Sequence, residues 1–263
     1  MLQPMFLEEI GDDGVAQITL TRPEVHNAFN DTLINELNAV LNGLGTDERV
    51  RVVVLSAQGR SFSAGADLKW MQRTAAYSEA ENLKDAQALA DLMLTLNNLP
   101  KPTMALVQGP AFGGGVGLVA CCDIALAAET AKFCLSEVKL GLIPAVISPY
   151  VITAIGQRAA RRYFLTAETF SATEAQRLGL VHRVVPDEAL HDVGRRMIKD
   201  LLIGGPAAQV AAKDLILEVS GQPLDNALSA QTAERIAHLR TSGEAQEGIA
   251  AFLEKRKPRW VKS

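Results

Sequence analysis

Two stretches of small residues stand out because the chemistry they permit belongs to the backbone. SFSAGADL, at 61–68, and GPAFGGGVGL, at 109–118, each run glycine and alanine into an apolar helical pattern. The first N–H groups of a helix have no intrahelical acceptor, and here no bulky side chain bars an oxygen atom from them. Gly65 and Ala66, opening one predicted helix, and the glycine run at 113–117, opening another, therefore offer donors. If the loops converge, those donors would stabilise negative charge developing on one carbonyl oxygen. Either loop alone is explained as well by a tight turn. Their occurrence together on neighbouring strand ends points to an oxyanion site.

Other constellations fail on spacing. Gly115, Gly117 and Ala120 match a dinucleotide fingerprint in form, but only about eight residues separate Gly115 from the next strand, too few for a crossover built around a helix. His26, His182, His191 and His238 show no metal-ligand spacing with Cys or Asp, and Ser63 does not sit in a nucleophile elbow. No metal site is expected. Asp123 reads as a structural residue at a helix end or strand start.

The elements that must position these loops alternate in type. Alternation of Ala16, Ile18 and Leu20 predicts a hairpin over 5–9 and 15–20, joined by a GDDG turn. Asn30 or Asp31 caps a helix carrying Leu33, Leu37, Val40, Leu41 and Leu44 at helical spacing, and a buried strand follows at 50–56. Ser78 with Glu81 forms a capping-box pattern opening a helix to about residue 98, with Leu83, Ala86, Ala90 and Met93 on one side. Strands are expected at TMALVQG, IALAAE, AKFCL and VHRVV, and Ser171 with Glu174 suggests a further capping box. From about residue 187 the pattern is helical, broken by Gly205 and Pro206. This is α/β grammar with a helical tail, without a detectable sequence repeat.

Composition narrows the class. The 263 residues are 48% hydrophobic and 21% charged, with a net charge of -4. That describes an ordinary folded chain with no global field to attract nucleic acid or an anionic membrane. No apolar run reaches the ~18 residues of a membrane-spanning helix. Cys121, Cys122 and Cys134 sit in apolar stretches and read as buried thiols in a reducing compartment. The N-terminal stretch lacks the basic region of a secretory signal and is too acidic for a mitochondrial presequence. The cytoplasm is the expected location.

RPEVHNAF, SFSAGADLKWM, KPTMALVQGPAFGGGVGL, CCDIALAAETAKFCLSEVKLGLIP, LTAETFSATEAQRLGLVHRVVP and FLEKRKPRW, in this order, resemble the crotonase, or enoyl-CoA hydratase/isomerase, family from nearly end to end. The resemblance implies a crotonase-type ββα spiral core over 1–195. It also implies a helical trimerisation region over 196–263, a homotrimer or dimer of trimers, and an acyl-CoA substrate with no cofactor beyond the CoA it carries. It assigns the oxyanion hole to the backbone N–H groups of Ala66 and Gly114. Family hydratases commonly use two glutamates. Glu137 matches the second, whereas Gly117 occupies the position of the first and cannot carry a proton.

Family isomerases work with a single glutamate at the position of Glu137, so double-bond migration is the alternative to hydration. A non-catalytic scaffold binding RNA or a partner is a further one, against which the retained loops and Glu137 argue. The segment SEVKLGLIPAVISPYVITAIGQRAARRYFLTAE resembles bacterial hydratases of 3-methylglutaconyl-CoA in leucine catabolism, or their isoprenoid relatives. Ala145 stands where many hydratases carry glycine near the water. Lys69 matches a position near the CoA phosphates, and Phe252 with Lys255 a pair that reaches CoA on a neighbouring subunit. Arg22 and His26 are candidates for the adenine side, although a lone histidine is more often structural.

Overall fold

The computed structural model describes residues 4–262. β1 (Phe6–Ile10) and β2 (Val15–Leu20) form the expected antiparallel hairpin, and Ala16, Ile18 and Leu20 are fully buried. Asn30 caps α1 (Asp31–Thr46) by accepting from the Leu33 N–H at 2.8 Å. Its buried face, Leu33, Ile34, Leu37, Leu41 and Leu44, follows the helical period, and each side chain contributes about 1.5–3 kcal/mol by leaving water.

β3 (Val52–Ala57) leads to α2 (Leu68–Thr74) and α3 (Glu79–Asn97), the latter opened by a reciprocal Ser78–Glu81 capping box. Leu92, Met93 and Leu96 of α3 are buried, whereas Leu83 is exposed, because the first turns of α3 reach beyond the core. β4 (Thr103–Val107), β5 (Ala111–Phe112) and α4 (Gly114–Cys121) follow. Next come β6 (Ile124–Ala128), β7 (Lys132–Cys134) and a 3-10 turn at Glu137–Leu140. α5 (Ser148–Thr166) breaks at Gly156, and β8 (Phe170–Ser171), α6 (Ala172–Leu178) and β9 (Arg183–Val185) close the core. Only half of the second expected capping box forms. Ser171 caps Glu174 N–H, but the Glu174 carboxylate turns to Arg177 and Tyr163 instead.

The main sheet has the order β1-β2-β3-β4-β6-β9, parallel except for the first pair. Beside it runs a second layer made of very short pieces. Phe29 bridges Ala66, Ser63 bridges Ala111, and β5 and β7 pair in parallel. Each main strand from β2 to β6 thus feeds a short second-layer piece and then a helix, which gives successive ββα turns of a spiral. Asp123 pins two of these turns. Its Oδ2 accepts from the Thr103 N–H and Oγ1 at 2.7 and 2.9 Å and from Lys213 Nζ at 2.8 Å.

The tail comprises α7 (Leu190–Ile203), α8 (Pro206–Val219), α9 (Asn226–Arg240) and α10 (Gly243–Leu253). α7 lies on the sheet through Leu190 and Val193, with Met197, Ile198 and Leu201 half-buried beside them. α8 and α9 bury no residue within the protomer, and Leu224 between them is 96% exposed. Among the described residues, no helix is long and apolar enough to cross a membrane. Cys121, Cys122 and Cys134 are free and buried, and burial pushes the Cys122 thiol up to about 12.

Candidate active site

The two small-residue loops touch. Gly65 has φ +84°, and a Cβ there would lie 2.9 Å from the Phe112 carbonyl oxygen and 3.7 Å from Gly113 Cα. Only glycine tolerates both the left-handed backbone and so close a neighbour. The peptide planes then set where the donors point. The Gly65 carbonyl accepts from the Phe29 N–H at 2.6 Å, and in a trans peptide the N–H of the next residue, Ala66, points the opposite way. The Gly113 carbonyl accepts from the N–H groups of Val116 at 2.9 Å and Gly117 at 3.3 Å, so the Gly114 N–H points out of the start of α4. Among the described residues, neither the Ala66 nor the Gly114 N–H donates to a protein acceptor.

Ala66 is not part of a helix, contrary to the expectation that it opens one. α2 starts two residues later because Asp67 caps it, accepting from the Lys69 N–H at 2.9 Å and the Trp70 N–H at 3.4 Å. The free donor at Ala66 is a loop donor held by its neighbours. Arg22 is part of that restraint rather than a wall for a ligand. Its guanidinium donates to Asp67 Oδ2 at 3.1 Å and to the Ala28 carbonyl at 2.9 Å; burial raises the Asp67 carboxyl, but the Lys69 and Trp70 N–H groups, joined by Arg22, hold it below its ordinary value.

Glu137 opens the 3-10 turn after β7, and the Gly113 N–H ties the glycine loop to that strand by donating to the Cys134 carbonyl at 2.9 Å. Glu137 Oε1 lies 3.1 Å from where a Gly113 Cβ would stand, so the carboxyl group packs against the loop that carries Gly114. Its Oε2 is buried without a hydrogen-bond partner. Burial pushes the carboxyl above its ordinary value, partly offset by a hydrogen bond from its own backbone. A half-buried carboxyl that reaches neutrality easily is suited to take up and return a proton.

The position of a second carboxylate is closed. A Cβ on Gly117 would lie 2.3 Å from Ile147 Cγ2 and 3.2 Å from Met93 Cε, and both of those side chains are buried. Hydrocarbon fills the space at Gly117, one helical turn beyond Gly113. Ala145 lies in the turn leading into α5, where its carbonyl accepts from the Ser148 N–H and hydroxyl, and it is exposed.

Lys69 is exposed in the first turn of α2, three residues after Ala66 in the sequence. His26 is also exposed, with Nδ1 3.0 Å from Ser61 Oγ. Phe252, 82% exposed, lies in the last turn of α10, and Lys255 lies just beyond its end. The chain beyond them docks at the start of β3, where Arg51 donates to the carbonyls of Trp260 and Gly204. The loop carrying Ala66 leaves the other end of that strand. Sequence reading missed Phe29, which orients the Ala66 peptide, and Ile147, which closes the space at Gly117. Phe29 lies in the quoted RPEVHNAF motif, but nothing local in either residue announces its contact.

Two free backbone donors and one half-buried carboxyl group on a spiral of ββα turns are the parts from which an acid–base site with an oxyanion hole can be built. The sequence model described as enoyl-CoA hydratase/isomerase matches residues 11–263, and the chain belongs to that family. It shares 35% identity over 256 residues with enoyl-CoA hydratase AKT6-1 of Alternaria alternata, covering 96% of this chain and 83% of that one. The crystal structure of an enoyl-CoA hydratase from Shewanella pealeana superposes with a TM-score of 0.94 at 47% identity, covering 98% of this chain and 96% of that one. Pseudomonas aeruginosa AtuE superposes with a TM-score of 0.93 at 37% identity, covering 98% of this chain and 100% of that one. The fold is the crotonase fold, and the chain is an enzyme of the hydratase type.

Proposed function

We propose that the protein adds water to an α,β-unsaturated acyl-CoA thioester, with 3-methylglutaconyl-CoA converted to 3-hydroxy-3-methylglutaryl-CoA. The observation carrying the reading is the Glu137 carboxyl group packed against the glycine loop, beside two N–H groups free to bind a thioester oxygen. In the proposed reaction the thioester oxygen sits between the Ala66 and Gly114 N–H groups. Glu137 holds a water molecule and takes its proton as the water oxygen bonds to Cβ. The π-electron pair moves towards the thioester oxygen to give an enolate, and the proton on Glu137 then passes to Cα, so the carboxylate is regenerated. Each aimed donor contributes about 2.7–4 kcal/mol of barrier lowering. The 3-methylglutaconyl group is supported by the resemblance of the segment following Glu137 to that branch of hydratases.

The CoA portion is assigned to Lys69 from the same protomer and to Phe252 and Lys255 from a neighbour in a trimer or dimer of trimers. The distance between the two ends of β3 and the uncovered apolar residues of the tail support an assignment in trans. A second reading, double-bond isomerisation, draws support from the hydrocarbon at Gly117, since an isomerase needs only one proton carrier.

Incubation of 3-methylglutaconyl-CoA with the protein in ¹⁸O-labelled water separates the two. Hydration yields labelled 3-hydroxy-3-methylglutaryl-CoA, with crotonyl-CoA turned over more slowly for want of the distal carboxylate. Products that carry no label and have migrated double bonds would replace hydration by isomerisation.

A further inference from the structure

Asn27 is fully buried, polar, and left-handed, with φ +53° beside His26 at +54°. Consecutive non-glycine residues in this region persist only where the surroundings impose them. Here the side chain is held at both ends of its amide. Nδ2 donates to the carbonyls of Gln58 at 2.9 Å and Ser61 at 2.8 Å, and Oδ1 accepts from the Arg22 N–H at 2.9 Å. A buried amide with both donors used and its oxygen engaged is a rigid joint between the segments at 22–29 and 58–66.

The joint leads to the proposed oxyanion donor by two routes. In the first, the Asn27 carbonyl accepts from Ser63 Oγ at 2.9 Å, and the same Oγ accepts from the Gly65 N–H at 3.3 Å. In the second, the left-handed turn delivers the next residues alongside the loop. The Ala64 N–H donates to the His26 carbonyl at 2.9 Å, the Phe29 N–H to the Gly65 carbonyl at 2.6 Å, and the Asp67 N–H to the Phe29 carbonyl at 2.7 Å. Both flanks of the Gly65–Ala66 peptide are therefore fixed from the strand segment that Asn27 holds. The direction of the Ala66 N–H is the remaining degree of freedom, and these bonds remove it.

We infer that Asn27 is a positioning residue for catalysis: acting through Ser63 and Phe29, it aims the Ala66 N–H at the thioester oxygen. This rests on the oxyanion reading above. The tests are Asn27→Gly, which keeps the backbone free to be left-handed and removes the amide, and Asn27→Asp, which sets an acceptor against two carbonyls. Ser63→Ala breaks only the first route and serves if either Asn27 variant folds poorly. Steady-state kinetics on an enoyl-CoA is read together with the absorption maximum of a bound aryl-conjugated enoyl-CoA, which moves to longer wavelength as the carbonyl is polarised.

The expected result is a kcat lowered about 10-fold or more, below the about 10²–10³ of complete donor loss, with KM within about threefold. The spectral shift should shrink in step, and Ser63→Ala should show a smaller effect of the same sign. A purely structural role would lower the folded fraction but leave the kcat and the shift per folded molecule unchanged, and that outcome overturns the inference. If the unaltered protein turns over the substrate without shifting the bound chromophore, the oxyanion reading falls, and this role falls with it. A shift present in the unaltered protein and undiminished in all three variants overturns the role of Asn27 alone.

Discussion

Gly117→Glu restores the carboxylate that family hydratases commonly carry at this position, and it is expected to harm the protein. The new Cβ alone would lie 2.3 Å from Ile147 Cγ2 and 3.0 Å from Ile147 Cβ, the first of these more than an ångström inside the ~3.5–4.0 Å optimum for carbon atoms. Overpacking of this kind costs about 1–3 kcal/mol. At about 2–4 °C per kcal/mol for a chain of this size, the melting temperature should fall by about 2–12 °C. The carboxyl group would also stand among Ile147 and Met93, where it is driven to the neutral acid or pushes the wall of the site outward. Thermal melting and turnover of an enoyl-CoA are the measurements. Lower stability and no gain in kcat are expected, and trimming the neighbour in Gly117→Glu/Ile147→Ala should recover part of the packing loss. A singly substituted protein that melts as the parent does and turns over faster would refute the packing argument and the one-carboxylate mechanism together.

Glu137→Gln should lower turnover by about 10² or more with little change in KM. Because burial raises the folded carboxyl above its ordinary 4.5, ionisation of Glu137 costs stability. That cost is full above the raised value and vanishes as pH falls to the ordinary one, so Glu137→Gln should melt higher than the parent at neutral pH and equal to it in acid. The acid limb of kcat/KM should lie above 4.5 and be lost in the variant, and a limb at or below the ordinary carboxylate value would reject Glu137 as the base. Phe252→Ala should raise the KM for CoA substrates without lowering the melting temperature of the protomer, and an unchanged KM would remove its role. Deleting residues 250–263 should also weaken CoA binding. It strips the Trp260 indole N–H from the Ile203 carbonyl as well, so its melting temperature must be measured alongside. Asp123→Ala leaves Lys213 and the Thr103 N–H without their shared partner. It should cost about 1–3 kcal/mol while turnover per folded molecule is unchanged.

The parts of the fold legible in the sequence are those written in local spacing. Asn30 and the leucines of α1, the Ser78–Glu81 box and the alternation in β2 each state their structure within a few residues. The exposed Leu83 shows the limit of that reading, since periodicity records an amphipathic face without recording what covers it. Apart from β7, expected at AKFCL, the second layer of the spiral was illegible for another reason. Phe29 and Ser63 enter it as single bridging residues and Ala111 in a two-residue strand, all too short to carry any period, and their pairing partners are distant in the chain. The expected start at Ala66 is two residues early because Asp67 is the cap, and an aspartate before a helical run is a recognisable signal. Ile147 had no signal at all. Its significance comes from a glycine far earlier in the chain, and only the packing joins them.

That packing bears on how one carboxyl group could serve a two-proton problem. Ile147 and Met93 fill the space at Gly117 and have no group able to orient water or move a proton, so under hydration both events belong to Glu137. Its two oxygens are placed differently, Oε1 against the glycine loop and Oε2 buried without a partner. Under the proposed hydration one of them must hold the water molecule and take its proton. In the proposed hydration, its raised proton affinity favours holding the abstracted proton until the enolate forms. Oxygen and hydrogen then both enter from the face of the substrate that Glu137 covers. Because Ile147 and Met93 offer no second proton carrier at Gly117, the proposed hydration requires that the proton reaching Cα be the one Glu137 has just received.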